Sequence, residues 1–233
     1  MRQLSILGLL VVAASVLVAK ADQRAPERFR VRLDTTKGAI VIACTRAWAP
    51  LGADRFYTLV TSGYYDDSAF FRVVAGKWAQ FGINGGPKVS QAWRGRTIPD
   101  DPFRESNVRG TVAFAFAAKD GRTTQVFINV VDNRATHDKE PFVPFGRIVE
   151  GMDVVDALYD GYGESALGGI RAGKQDPLFT SGNAHLRTNF PRLDYIRTAR
   201  VDGKDYPLAG KVTSTGTNAQ GMPISGVQVF EKQ

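Results

Sequence analysis

The residues best suited to chemistry lie in one short stretch, residues 70–82, which contains a cation, an amide and a large ring. Successive side chains of a β-strand point to opposite faces, so Arg72 faces one side of its strand. After a turn, Trp78 and Gln80 share a face of the next strand. Such a set can hold a polar group by hydrogen bonds beside an apolar ring, and it needs no nucleophile.

A second stretch adds another ring. Phe127 lies in a strand-like apolar run, and Gln125 stands just ahead of it. Taken singly, these residues have plainer interpretations. An arginine after two phenylalanines is usually a surface charge at a strand end, and a phenylalanine within a strand is usually core. The order and spacing of Arg72, Gln80, Gln125 and Phe127 together favour a binding site.

Other catalytic chemistries lack candidate residues. The chain has two histidines, His137 and His185, and neither has the spacing of a zinc site; residues 137–140 are expected to form a polar loop. No G-x-S-x-G elbow occurs, and the glycine-rich run 161–169 matches neither a dinucleotide-binding loop nor a P-loop. We therefore expect neither a metal nor a cofactor. The single cysteine, Cys44, lies in an apolar run and is expected to be a buried thiol.

The elements that must position these residues are mostly short strands. Apolar and polar residues alternate over 29–34, and a turn leads into a second strand, 39–44, which predicts an opening hairpin. Further strands are predicted at 70–74, 78–82, 112–117 and 126–130, with a last strand pair at 145–149 and 195–201. Helices are predicted at 50–63 and 152–158. The pattern predicts a mainly β fold, a closed eight-stranded antiparallel β-barrel capped by two α-helices.

The remaining segments differ in character. Residues 161–190 are rich in Gly, Asn, Asp and Pro, which predicts a long surface loop. Residues 202–233 show a strand, a turn and a second strand, but they are too few to bury a core alone. We expect a signal peptide at 1–21, one domain at 22–201, and a C-terminal tail at 202–233 that is a β-hairpin or disordered.

The N-terminus predicts export. Arg2 precedes an apolar run, 4–18, and residues 19–21 (Ala-Lys-Ala) are typical of a signal-peptide cleavage site, so cleavage after Ala21 is expected. An uncleaved anchor is the alternative, although a spanning helix needs roughly 20 apolar residues. The mature chain is then expected to be periplasmic or secreted, without stable membrane insertion.

The charge distribution bears on partners. The formal net charge is +7, and Lys and Arg are scattered among Asp and Glu. A nucleic-acid-binding protein would favour a basic stripe with interleaved aromatic residues, which the sequence lacks. We therefore expect no nucleic-acid partner, and a monomer.

The order and spacing of the motif residues resemble the cyclophilin-type peptidyl-prolyl cis/trans isomerases. Residues 70–82 fit the pattern F-x-R-x-x-x-G-x-x-x-Q-x-G, which that family follows with an alanine-rich strand and then Q-x-F-I-N, here residues 125–129. The resemblance covers roughly residues 29–201, and residues 145–156 are similar to bacterial members. It implies a cyclophilin-like barrel and an isomerase that acts on proline-containing polypeptides without a cofactor.

The resemblance also implies roles for particular residues. Arg72 and Gln80 are the predicted catalytic residues, because they match the family's essential arginine and its substrate-binding glutamine. Phe127 matches the floor of the proline pocket, and Phe116 matches a residue that binds through its backbone N–H. The full predicted substrate-binding set is Phe71, Lys77, Trp78, Ala115, Phe116, Gln125, Phe127 and Phe142.

Several positions depart from the family pattern. Lys77 replaces an aromatic pocket wall, Trp78 stands where methionine is usual, and Phe142 stands where the family has a histidine. The family's tryptophan and leucine after Q-x-F-I-N have no clear counterpart within residues 133–140. These departures favour an alternative function, a catalytically weak module that binds proline peptides or acts as a chaperone through the same groove.

Overall fold

Strands β1 (Arg28–Thr35) and β2 (Ala39–Thr45) form the opening hairpin in the computed structural model, which describes residues 21–163 and 174–203. Val31 and Leu33 on β1 are fully buried, and their polar neighbours lie on the other face. Gly38 makes the turn with φ at +140°, a backbone angle that favours glycine. The predicted hairpin is confirmed.

The other elements are mostly short. The further strands are β3 (Ser68–Ala69), β4 (Arg72–Val74), β5 (Trp78–Phe81), β6 (Thr111–Phe114), β7 (Val126–Asn129), β8 (Pro144–Glu150) and β9 (Tyr195–Asp202). The helices within the described ranges are α1 (Pro50–Thr61), α2 (Pro87–Arg94), α3 (Arg134–His137), α4 (Met152–Asp156) and α5 (Asp176–Asn189).

The strands of the described residues form one sheet in the order β3-β9-β1-β2-β8-β6-β7-β5-β4. Its two edge strands, β3 and β4, are separated along the chain only by Phe70 and Phe71. One continuous segment therefore supplies both edges, which curls the sheet into a barrel-like form. The mainly β prediction is confirmed; nine short strands replace the expected eight because this segment contributes two of them.

Two predictions about pairing and helices were wrong. Strands β8 and β9 are not partners, because β8 lies between β2 and β6 while β9 lies between β3 and β1. Their alternating patterns fixed which face is buried but not which neighbour each strand takes. The described residues contain five helices rather than two, and the additional ones, α2, α3 and α5, lie in segments whose turn-forming residues concealed them.

Helix α5 replaces most of the loop predicted at 161–190. Its Pro177 stands in the first turn, where a proline costs no hydrogen bond. Leu178, Phe179 and Leu186 are buried on one side. Gly182 interrupts the helix with φ at +54°, which explains why the sequence pattern looked irregular. Residues 164–173 of the predicted loop lie outside the described residues.

The structure describes almost none of the two predicted terminal segments. The predicted signal peptide and C-terminal tail lie outside the described residues, apart from Ala21, Asp202 and Gly203. Among residues 21–163 and 174–203, no helix is sufficiently long and apolar to cross a membrane. Cys44 is buried in the main core, and this burial raises the pKa of its thiol, so the prediction of a buried thiol is confirmed.

A buried ion pair holds the start of α1. The carboxylate of Asp101 accepts hydrogen bonds from the backbone N–H groups of Leu51 (2.9 Å) and Gly52 (2.8 Å), which have no partner within the helix. The same carboxylate accepts a bond from the Arg122 guanidinium at 2.9 Å. Both side chains are 1% exposed. The pair therefore ties the helix to the loop between β6 and β7.

Breaking this pair is expected to destabilise the protein strongly. Arg122→Met leaves Asp101 charged in the interior without its counter-ion, and we expect the free energy of unfolding to fall by about 3–5 kcal/mol. Urea unfolding followed by circular dichroism measures the change. The control is Arg24→Met, which removes an exposed pair with Glu27 and should cost at most about 1 kcal/mol. An equally small loss for Arg122→Met would contradict this role.

Candidate active site

A row of four side chains crosses neighbouring strands on one face of the sheet. Arg72 on β4 lies opposite Gln80 on β5, Gln80 lies opposite Phe127 on β7, and Phe127 lies opposite Ala113 on β6. Residues directly opposite each other point to the same face. The residues next to them in sequence, such as Ala79, belong to the main core behind the sheet. The row is therefore turned away from that core.

Arg72 is held from two sides. Its Nη1 donates a hydrogen bond of 2.9 Å to Oε1 of Gln80. Its guanidinium carbon lies 5.0 Å from the centre of the Trp78 ring, within the range of a cation–π contact. The side chain is half-buried. A long flexible cation is thus fixed beside an aromatic surface.

Phe127 lies within a group of rings, here called the aromatic cluster: Trp78, Phe116, Phe127, His137 and Phe142. The Phe127 ring centre is 5.3 Å from that of His137 and 5.4 Å from that of Phe142, both edge-on. His137 lies 5.4 Å from Trp78, and Phe116 lies 4.4 Å from Phe142. Phe127 is only 4% exposed, whereas the other four rings are half-buried. The accessible part of this apolar cluster therefore belongs to the four half-buried rings.

His137 is the member of this cluster that the sequence did not identify. The polar loop predicted at 137–140 instead begins with the last residue of α3, and the imidazole lies among the rings. Its Nδ1 is 3.3 Å from Oδ1 of Asn129, a fully buried residue that also accepts a bond of 2.7 Å from Asn133 Nδ2. Burial lowers the pKa of His137, although the nearby Asp138 carboxylate acts in the opposite direction.

A series of amides continues from the arginine. Nε2 of Gln80 donates to Oε1 of Gln125 at 2.8 Å, and Nε2 of Gln125 donates to Oε1 of Gln175 at 2.8 Å. Gln175 comes immediately before α5 and was not identified from the sequence. The only signal that could have suggested it is an amide side chain at the start of a helix, which is a weak one.

The other predicted residues take different positions. Lys77 is exposed at the turn between β4 and β5, with Nζ 5.7 Å from the Trp78 ring centre. Ala115 is half-buried, and its N–H bonds to the carbonyl of Gln125 at 2.9 Å. Phe71 is 1% exposed in a second hydrophobic cluster with Leu178 and Phe179, so its ring supports the strand and offers no surface to a substrate.

The described residues contain no group of three or more His, Cys, Asp or Glu side chains that could hold a metal ion.

Comparison with known proteins decides the family. The family model described as cyclophilin type peptidyl-prolyl cis-trans isomerase/CLD matches residues 30–171. The chain belongs to this family. It is 33% identical over 163 residues to peptidyl-prolyl cis-trans isomerase A of Dickeya dadantii, covering 66% of this chain and 83% of the relative. It is 36% identical over 141 residues to peptidyl-prolyl cis-trans isomerase cyp18 of Streptomyces antibioticus, covering 55% and 81%.

Solved structures support the same fold. A cyclophilin type peptidyl-prolyl cis-trans isomerase of Cryptosporidium parvum superposes with a TM-score of 0.54 at 16% identity, covering 76% of this chain and 99% of that chain. The predictions of a cyclophilin-like fold and of the isomerase class of enzyme are confirmed. The roles of the individual site residues stay predictions.

The position of His137 predicts a pH dependence of this cyclophilin-type site. Burial lowers the pKa of the His137 imidazole from its ordinary value of 6.5, so the ring is neutral at pH 7 and gains a proton only in more acidic solution. A charge within the aromatic cluster weakens its contact with a prolyl ring, so affinity for an X–Pro peptide should fall several-fold as the pH drops through that lowered pKa. Calorimetric titration with an uncharged peptide measures this affinity.

The matched variant is His137→Phe, which keeps a ring and cannot take up a proton. We expect its affinity for the same peptide to stay constant across the acidic range. Identical pH profiles for the variant and the unmodified protein would show that His137 does not line the binding surface.

Proposed function

We propose that this cyclophilin-type chain accelerates rotation about X–Pro peptide bonds in exported proteins, using Arg72 and Gln80 as its catalytic residues. The observation that carries the proposal is the hydrogen bond that fixes the Arg72 guanidinium in the same cross-strand row as Phe127. The family membership supports the reaction class. The row supplies the two features that the reaction needs, a fixed cation and an adjacent apolar surface.

The chemical problem is a rotation barrier. Resonance gives the peptide C–N bond partial double-bond character, and the barrier is about 18–20 kcal/mol. As the bond twists, the prolyl nitrogen loses resonance and becomes a hydrogen-bond acceptor. A guanidinium can only donate hydrogen bonds, so the contact of Arg72 with that nitrogen strengthens towards the transition state. No covalent bond is made or broken.

The remaining groups fix the substrate while one side of the bond turns. In this proposal the aromatic cluster holds the prolyl ring by apolar contact, and the amides of Gln80 and Gln125 bind backbone groups beside it. By its resemblance to the family, the backbone N–H of Phe116 adds a further anchor. Holding the substrate in a reactive geometry contributes by orientation and transfers no proton.

The energy required is modest. Each 1.4 kcal/mol changes a rate about tenfold, so a thousandfold acceleration needs only about 4 kcal/mol. One hydrogen bond to a charged group contributes roughly 1.5–3 kcal/mol, and positioning supplies more. The hydrogen bond from the arginine and the positioning of the substrate are therefore sufficient together.

A second candidate function is a catalytically weak module that binds proline peptides or acts as a chaperone. The exposed Lys77, which takes the place of an aromatic pocket wall, favours it. His137 weighs against it, since its ring joins Phe127 in the aromatic cluster and restores an aromatic side to the surface. Binding of X–Pro peptides by the unmodified protein without any acceleration would decide for this candidate.

Removing the cation tests the mechanism. Arg72→Ala is expected to fold normally and to lower kcat/KM by roughly a hundredfold or more in a protease-coupled assay with an X–Pro peptide, since it removes the donor that acts in the transition state. Arg104→Ala, at an exposed arginine on a loop, is the control and should behave as the unmodified protein. Activity retained by Arg72→Ala would remove this residue from the mechanism.

We also propose that the chain is exported and acts as a monomer after cleavage following Ala21. Expression in a bacterial host, followed by fractionation and N-terminal sequencing, is expected to yield a chain that begins at Asp22 in the periplasm or the medium. A full-length chain in the membrane fraction would favour the uncleaved anchor, and a cytosolic full-length chain would contradict export.

A further inference from the structure

Gln175 is linked to the proposed catalytic row through Gln125, and it lies outside the stretch that matches the family model, which ends at residue 171. Its Oε1 accepts a hydrogen bond of 2.8 Å from Nε2 of Gln125. Gln125 in turn accepts from Gln80, and Gln80 accepts from Arg72. Arg72 and Gln80 of the row thus begin a series of four hydrogen-bonded side chains. The series continues through Gln125 and ends at Gln175, in the segment before α5.

The direction of this series is fixed by chemistry. A guanidinium can only donate, so Gln80 must turn its oxygen towards Arg72 and its nitrogen towards Gln125. Gln125 must then offer its oxygen to Gln80, which leaves its nitrogen for a further acceptor. Gln175 supplies that acceptor. Without it, the amide of Gln125 would keep one bond of the series, from Gln80, and lose the bond that fixes its nitrogen.

Gln175 is itself held in place by the packing of α5. Leu178, Phe179 and Leu186 of this helix lie in the second hydrophobic cluster, which also contains Phe71, the residue directly before Arg72. The backbone carbonyl of Gln175 accepts a bond of 3.0 Å from the N–H of Leu178. The first turn of α5 therefore packs in the same cluster as Phe71, which directly precedes β4 and Arg72.

Helix α2 fixes α5 from a second side. The Arg94 guanidinium forms an ion pair with Asp176 and lies 4.3 Å from the Phe179 ring centre. Nε2 of Gln91 donates to the carbonyl of Phe179 at 3.3 Å. Gln175 thus directly precedes Asp176, the residue that forms the ion pair with α2, at the start of a docked helix.

We propose that Gln175 is a positioning residue for the isomerisation: it holds the amide of Gln125, and through it that of Gln80, in the orientation that leaves Arg72 directed at the substrate. This inference rests on the proposed function. It assigns to α5, a helix beyond the family match, a part in shaping the groove.

The test removes or keeps the acceptor. Gln175→Met has a similar shape and no acceptor, and it should lower kcat/KM about two- to tenfold, the effect of one neutral hydrogen bond. Gln175→Glu keeps an acceptor oxygen and should recover most of that loss. Thr188→Ala, at an exposed position of the same helix, is the control. A Glu variant as impaired as the Met variant, with both folded, would overturn the proposal.

A double-mutant cycle shows whether Gln175 acts through Gln125. If it does, Gln175→Met should add little to the loss caused by Gln125→Met. Full additivity of the two losses would contradict positioning.

A readout independent of activity separates this inference from the proposed function. In an NMR spectrum of the protein, the side-chain amide signals of Gln125 and Gln80 should shift in Gln175→Met and stay close to their original positions in Gln175→Glu. Unmoved signals in Gln175→Met would overturn the inference even if isomerase activity is found. An inactive protein whose signals shift as expected would contradict the proposed function alone.

Discussion

The hydrogen bond from Arg72 to Gln80 is the interaction on which the site depends. An unrestrained arginine loses about 2 kcal/mol of side-chain entropy when it is ordered, and this 2.9 Å bond orders it before a substrate arrives. The bond exists because β4 and β5 pair in a register that sets the two residues opposite each other. A slip of one residue would turn the cation into the core and Val73 outwards, so the fold and the site fix each other.

Two helices outside the motif residues 70–82 and 125–129 bring further side chains to this site. Helix α3 brings His137 against Trp78 and Phe127, and the segment before α5 brings Gln175 against Gln125. The strands thus supply Arg72, Gln80 and Phe127. Helix α3 supplies the His137 ring, and the segment before α5 supplies Gln175 as the last hydrogen-bond acceptor.

What the sequence could predict follows from the range of the interactions. Strand alternation is local, so most strands and the cross-strand neighbours in residues 70–82 were predictable. The helix α5 was not, because Gly182 and Asn183 are typical of loops, and its buried leucines gain their meaning only from distant partners. His137 was missed for a similar reason, since its place depends on the buried Asn129 rather than on neighbouring residues.

The most direct test of the account is a crystal structure of the protein with a bound X–Pro peptide. We predict that the prolyl ring packs against Phe127 and that a nitrogen of the Arg72 guanidinium lies within about 3.2 Å of the prolyl nitrogen, the limit of an N–H donor bond. A peptide bound elsewhere on the sheet, or an Arg72 head group turned away from the prolyl bond, would contradict the account.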